Sequence, residues 1–200
     1  ICDEIYVVIH HHLLSHAPSL EAVRRIYTMP QATAQCRAWL EKHLPHAELV
    51  DVATTARAAE IAAAEEGAAA IANKTAAEFY GLNVLAERIE DNPRNRTRFL
   101  VLGHLQPPPT GRDKTSLLFA VRHEAGALIR ALAAFEKYDI NLTMIESRPT
   151  KVTPWEYVFF ADVEGHVDEG PESPMRRALN LFQQHCLYVK VLGSYPAQSD

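Results

Sequence analysis

The 200-residue sequence contains no apolar run near the ~18 residues that a membrane-spanning helix needs, and its first residues lack the basic, apolar and small-residue order of a secretory signal. It is therefore read as a soluble, cytoplasmic protein. A basic excess is missing too. The 20 Lys and Arg against 25 Asp and Glu leave a formal charge of -5, which disfavours a dedicated nucleic-acid binder, since neutralising phosphates needs the opposite sign. Cysteine is scarce: Cys2, Cys36 and Cys186 are odd in number, far apart and without C-x-x-C spacing, so a disulfide scaffold is excluded and reduced thiols are expected. No initiator methionine opens the chain. Ile1 is followed within a few residues by Ile5 to Ile9, which reads as a strand interior, so an N-terminal portion is expected to be missing. What is present is ordinary globular composition, 48% apolar and 22% charged, sufficient for the core of one domain or two small ones.

The clearest internal boundary is Gly103 to Asp113, GHLQPPPTGRD, where three consecutive prolines and two glycines disfavour helix and sheet alike. This Pro-rich linker, 103–113, separates residues 1–102 from 114–200. In the first part Ser19 is placed to cap a short helix, Pro30 opens a helix over Gln31 to His43, and 48–52 reads as a strand. Thr54 or Thr55 caps an alanine-rich helix stopped by Gly67, and the following Ala-Ala-Ile reads as a buried strand. Asn73 begins a helix that ends near Gly81, and strand-like Leu82 to Ile89 and Thr97 to Leu102 follow. Alternation of this kind predicts an α/β lobe. In the second part, strand Thr115 to Arg122, a helix with Leu128, Ala131, Leu132 and Phe135, strand Leu142 to Ser147, an alternating strand with Trp155, Tyr157, Phe159 and Ala161, a helix with Met175, Ala178, Leu179 and Phe182, and strand Tyr188 to Leu192 spell βαββαβ. That order predicts the ferredoxin-like plan.

Several signals carry no function on their own. A strand at His10, His11 and His12 sends His10 and His12 to one face and His11 to the other, and no carboxylate or cysteine pattern completes a metal site. Cys36 lies on an apolar helical strip and reads as core rather than nucleophile. Two segments carry more. Asn95-Arg96-Thr97-Arg98-Phe99 clusters a hydroxyl, two guanidinium groups and a ring at a strand start, a place that often opens onto a cleft in α/β folds. Gly126 opens a helix whose first amides could hold a carboxylate, or could simply be a plain helix start.

Together these segments resemble prephenate dehydratase over nearly the whole chain, Ile5 to Pro196. The first part carries Pro30-Gln31, Gln35-Cys36, Thr54-Thr55-Ala56, Tyr80-Gly81-Leu82, Ile89-Glu90-Asp91, Asn95 and the triplet Thr97-Arg98-Phe99, which is the family's active-site signature. The second part carries Gly126-Ala127-Leu128-Ile129 and Glu146-Ser147-Arg148-Pro149, resembling the phenylalanine-binding motifs of the ACT regulatory domain. The resemblance implies an α/β and α+β chain: a partial periplasmic-binding-protein-like α/β lobe followed by a ferredoxin-like βαββαβ ACT domain. It also implies decarboxylating dehydration of prephenate to phenylpyruvate without a redox or metal cofactor, because forming an aromatic ring already drives the reaction.

In that reading Thr97 donates to the departing hydroxyl, Arg98 holds a substrate carboxylate through its planar fork, and Phe99 shapes the wall around the ring or is core. Thr54 and Thr55 add hydroxyl contacts or only cap a helix. Phenylalanine is expected between two ACT domains of a homodimer or homotetramer. Gly126 and the amides near Ala127 and Leu128 would meet its carboxylate, Asn141, Glu146 and Ser147 would reach its polar end, and Arg148 would join them or order the loop before Pro149. The family's glycine-rich and Asn-Ser-containing opening segments do not precede Ile1, so this chain is expected to lack part of the active site. Thr28-Met29 stands where the family often has Ser-His. A phenylalanine-sensing or dimerisation module without catalysis, and a preference for arogenate, are the alternatives.

Overall fold

The structure is a computed structural model that describes residues 1–150 and 157–198. The chain forms two compact units, Val7–Thr97 and Ile1–Tyr6 with Arg98–Asp200. Strand β1 (Asp3–Val8) carries the chain out of the second unit and β7 (Arg96–Val101), its partner in a two-stranded ribbon, carries it back. The units thus part at Thr97/Arg98, ahead of the Pro-rich linker, and the first six residues do not stay with the lobe that follows them. The cause is pairing at long range. The Cys2 amide donates to Val101 O at 2.9 Å, and the Ile1 amino group to Leu192 O at 2.6 Å.

The first unit is built on a five-stranded sheet in the order β4-β3-β5-β2-β6. Its elements are β2 (His12–Ser15), a 3-10 turn at Leu20–Ala22, β3 (Arg25–Thr28), α1 (Pro30–Gln35), α2 (Arg37–His43), β4 (Glu48–Asp51), α3 (Thr55–Ala64), β5 (Ala68–Ala72), α4 (Lys74–Tyr80) and β6 (Asn83–Ala86). Strands β3, β4 and β5 are parallel, while β2 lies antiparallel to β5 and β6. Period-two alternation sends Leu13, Ile26, Ala69 and Ile71 toward α1 and α2, and Leu14, Tyr27, Ala68 and Ala70 toward α3 and α4. β5 is buried along its whole length, as its unbroken apolar run predicts.

In this unit one expected helix divides and one expected strand shortens. The helix expected over Gln31 to His43 breaks at Cys36 (φ -117°, ψ 13°) into α1 and α2. The carboxylate of Asp91, distant in sequence, accepts from the Ala38 and Trp39 amides and so caps the restart. Strand Leu82 to Ile89 shortens to β6, because the pairing with β2 shifts register and Arg88 turns the chain at φ 53°.

The second unit contains β8 (Asp113–Ala120), α5 (Ala127–Glu136), β9 (Leu142–Pro149), β10 (Tyr157–Glu164), α6 (Pro174–His185) and β11 (Tyr188–Pro196). The sheet order is β11-β8-β10-β9, antiparallel at every junction, which is the ferredoxin-like arrangement. Trp155 lies outside the described residues. Leu117, Phe119, Ala161 and Val163 face the two helices, and Phe182 of α6 meets Phe119 and Phe135 with ring centroids 4.8 and 4.9 Å apart. Burying each such ring contributes about 1.5–3 kcal/mol. Both helices cover this one face, so the opposite face of the sheet carries the alternate residues, among them Lys114, Ser116 and Asp162.

Candidate functional site

In the first unit, strand direction gathers the polar residues at one edge. β3, β4 and β5 all run toward it, and antiparallel β2 starts from it, with His12 opposite Ala72. The connections leaving β3 and β5 pass to opposite faces of the sheet, which makes the junction between them a switch point of the kind where α/β folds bind ligands. Helix starts converge there. Thr54 caps α3, accepting from the Arg57 amide at 3.0 Å, and Asn73 caps α4, accepting from the Ala76 amide at 2.9 Å. Exposed Thr54 and half-buried Thr55 therefore stand where the α3 dipole favours an anion. The capping and ligand-holding readings of Thr54 are compatible only if a ligand uses the second lone pair of its hydroxyl oxygen or its proton.

Beside β2, a connected polar cluster joins the motif residues Gln35, Glu90 and Asn95 to His10 and His11. His11 Nε2 lies 2.7 Å from Gln35 Oε1, Gln35 and Asn95 exchange amide contacts at 3.3 and 3.4 Å, and His10 Nδ1 lies 2.7 Å from Glu90 Oε1. The other Glu90 oxygen accepts from the His11 amide at 2.9 Å. Burial pushes the Glu90 carboxyl up, but His10 and the His11 amide outweigh it and hold the group below its ordinary value. The histidine run is thus partly structural, as expected, and the Asn95 carbonyl ties it down by accepting from the Ile9 amide at 2.8 Å. Spacing in sequence gives no hint of this cluster except that Gln35, Glu90 and Asn95 each fall in motif positions. Cys36 is fully buried, and burial raises its thiol to about 12, so it is core and no nucleophile.

Strand β7 separates the signature triplet. Alternation puts Thr97 and Phe99 on one side, both exposed, and Arg98 on the other. Thr97 follows Asn95 by two residues and so leaves the anchored end of the polar cluster. Arg98 is engaged elsewhere: its Nε lies 2.7 Å from Glu4 Oε2, too far out of line for a hydrogen bond but close as an ion pair, its Nη1 donates to Asp162, and its Nη2 donates to Tyr195 Oη at 2.7 Å. Glu4, Asp162 and Tyr195 are all buried. Neighbouring residues of a strand point apart, so β7 directs the Arg98 guanidinium to the side opposite Thr97, toward Glu4, Asp162 and Tyr195.

In the second unit, the Gly126 end of α5 and the Glu146 to Arg148 end of β9 lie at the same end of the sheet, since Phe160 pairs with both Leu118 and Glu146. Gly126, at φ 78°, caps α5, and the Ala127, Leu128 and Ile129 amides belong to its first turn. Glu146 and Arg148 pair at 2.6 Å on the exposed edge strand, with Ser147 between them pointing the other way. Asn141 does not join them. It stands before the start of β9, at the opposite end, with its amide 3.3 Å from Glu164 Oε1. A methyl group at Gly126 would meet Arg130 Nη1 at 2.8 Å in a conformation that L side chains avoid. Gly126→Ala should therefore destabilise the chain by about 1–2 kcal/mol, read as a lower urea midpoint at unchanged slope.

Two family models together cover most of the chain. The family model described as prephenate dehydratase matches residues 1–107, and that of the ACT domain matches residues 115–171. The chain belongs to the prephenate dehydratase family. A bifunctional chorismate mutase/prephenate dehydratase of Aquifex aeolicus is 49% identical over 196 residues, 98% of this chain and 53% of that protein. The chain spans about half the length of the curated relatives it matches. Among solved structures, a prephenate dehydratase from Arthrobacter aurescens in complex with L-Phe is 37% identical with a TM-score of 0.85, over 98% of this chain and 66% of that one. A protein described as a novel type of quorum quenching acylase is 34% identical with a TM-score of 0.81, over 99% and 72%.

Proposed function

We propose that the protein carrying this chain converts prephenate to phenylpyruvate in phenylalanine biosynthesis and is feedback-inhibited by phenylalanine through its ACT domain. The observation that carries this reading is the side-by-side exposure of Thr97 and Phe99 on one face of β7 in a chain of this family. Prephenate, taking up one proton, becomes phenylpyruvate, carbon dioxide and water. The C–C bond to the ring carboxylate breaks, its electron pair completes the aromatic ring, and the hydroxyl leaves. Thr97 is assigned to donate to that hydroxyl, its proton being restored from solvent, so that charge growing on the oxygen is neutralised in the transition state. Phe99 supplies apolar surface beside the ring. Carboxylate binding falls to Thr54 and Thr55 at the α3 start rather than to Arg98. The first unit is read as one lobe of a periplasmic-binding-protein-like fold, on its sheet order and its helices on both faces.

For the effector, the α5 start at Gly126, Ala127 and Leu128 is assigned to the phenylalanine carboxylate through the Leu128 amide, the Ala127 amide being engaged by Glu124 O at 3.2 Å. Glu146, Ser147 and Arg148 share that end of the sheet. Asn141 reaches such a ligand only from a second copy, which favours a homodimer or a dimer of dimers.

The test has two arms. The full-length protein should form phenylpyruvate from prephenate, followed by chromatography, and the 200-residue chain should bind L-Phe in calorimetry with a change in oligomeric mass. Heat with L-Phe but no turnover would leave a phenylalanine-binding module. Neither heat nor turnover would overturn the assignment.

A further inference from the structure

Four buried charges in the second unit balance one another. Glu4 and Asp162 are the anions, Arg98 and Lys114 the cations, and each side chain is no more than about a fifth exposed. Lys114 Nζ donates to Glu4 Oε1 at 2.8 Å while Arg98 spans from Glu4 to Asp162. The network continues into neutral groups: Ser116 Oγ donates to Asp162 Oδ1 at 2.5 Å and lies 2.6 Å from Tyr195 Oη. So every strand of the βαββαβ sheet except β9 holds part of it, and β9 pairs directly with the strand that bears Asp162. Such a network is costly to assemble and strongly specific once complete, because removing a member strands an unpaired buried charge.

Its position gives it a use. Arg98 is bonded through the backbone to Thr97, so fixing the guanidinium fixes the strand that presents the Thr97 hydroxyl. Asp162 lies on β10 two residues from Phe160, the partner of Glu146, a spacing of about 7 Å along a strand. A register irregularity follows immediately, between Asp162 and Val163.

We propose that Arg98 is a positioning residue, clamped between Glu4 and the open face of the regulatory sheet, and that phenylalanine bound at the ACT domain changes turnover at Thr97 through Asp162 and Arg98. This rests on the function proposed above. Phenylalanine then acts by favouring one arrangement of the Asp162–Arg98 contact over another, as any effector must act by differential affinity for two states. The proposal assigns Arg98 no contact with substrate.

The experiment compares the full-length protein with Asp162→Asn, which keeps shape and removes charge, and with Tyr195→Phe, which removes only one hydroxyl should the first variant fold poorly. L-Phe affinity, kcat, KM and the residual rate at saturating L-Phe are measured for each. The expected result is L-Phe affinity within about threefold of the parent but coupling weakened about tenfold, out of the 5–150-fold typical of effectors. Hydrogen exchange of residues 96–101 supplies a readout that needs no turnover. L-Phe should slow or speed it in the parent and leave it unchanged in the variants. Parental turnover that fails while this exchange response is present and lost in the variants would sink the enzymatic reading and keep the clamp. Folded variants that bind L-Phe and are inhibited as deeply as the parent would overturn the clamp and leave the enzymatic reading standing. L-Phe binding without any exchange response at 96–101 in the parent would also overturn it.

Discussion

Thr97→Ala lowers kcat of the full-length protein about 10²–10⁴-fold, the usual worth of a positioned proton donor, while the thermal midpoint stays where it was. The two halves of that expectation come from different facts. Thr97 is exposed on β7, and surface substitutions of this kind usually change stability by no more than about 0.5 kcal/mol. Its hydroxyl, in contrast, is assigned to neutralise a leaving oxygen, a contact made mainly in the transition state, so its loss falls on kcat rather than KM. Thr97→Ser keeps the hydroxyl and should retain most of the rate. Steady-state kinetics with prephenate checks both, and undiminished turnover in the alanine variant would remove Thr97 from the chemistry.

Glu4→Gln should destabilise the chain by about 3–5 kcal/mol, the usual consequence of breaking a buried ion network from one side. Glu4 is fully buried and accepts from Lys114, Tyr6 and the Gln198 amide while facing Arg98. Without its charge, Arg98 keeps Asp162 but Lys114 loses its carboxylate partner. The same group sets an acid limit. Burial pushes the Glu4 carboxyl up, but the Lys114 hydrogen bond, the Gln198 amide and the charges of Arg98 and Lys114 prevail and hold it below its ordinary 4.5. Its stabilisation is therefore complete above that value and lost as pH falls through the lower folded one. Lys114 runs the other way: burial lowers it, Glu4 and Tyr6 raise it further, and its contribution is complete below 10.5 and lost as pH climbs through the raised value. Unfolding midpoints measured across pH should show a plateau between the two limits, with the acid limb flattened in Glu4→Gln. A steep, unchanged acid limb in the variant would place the acid-sensitive carboxylate elsewhere.

How far the sequence could be read depended on range. α3 was legible to within a residue or two because its signals are local: a threonine cap, alanines, and Gly67 at φ 72° beyond its end. The βαββαβ order was legible for the same reason, since Leu117 and Phe119, or Ala178 and Phe182, announce their faces by period. The break at Cys36 was not, because what restarts the helix is a carboxylate some 50 residues away. The surroundings of Arg98 lie beyond the same limit. A guanidinium beside a hydroxyl suggests a shared ligand, but the groups that meet it here, Glu4, Asp162 and Tyr195, all lie 64 or more residues away in sequence. The His11–Gln35–Asn95 cluster escaped notice for that reason too, its members being polar residues with ordinary spacing.

The meeting of α3 with β5 has a thermodynamic character of its own. Ala58, Ala59 and Ala62 on the helix oppose Ala68, Ala70 and Ala72 on the strand, all fully or almost fully buried. Alanine has no rotamers to surrender, so this slab is ordered at the expense of backbone freedom alone. Its cohesion comes from the nearness of two main chains rather than from interlocking side chains, and a helix held in that way is free of the rotamer rearrangements by which larger residues absorb strain.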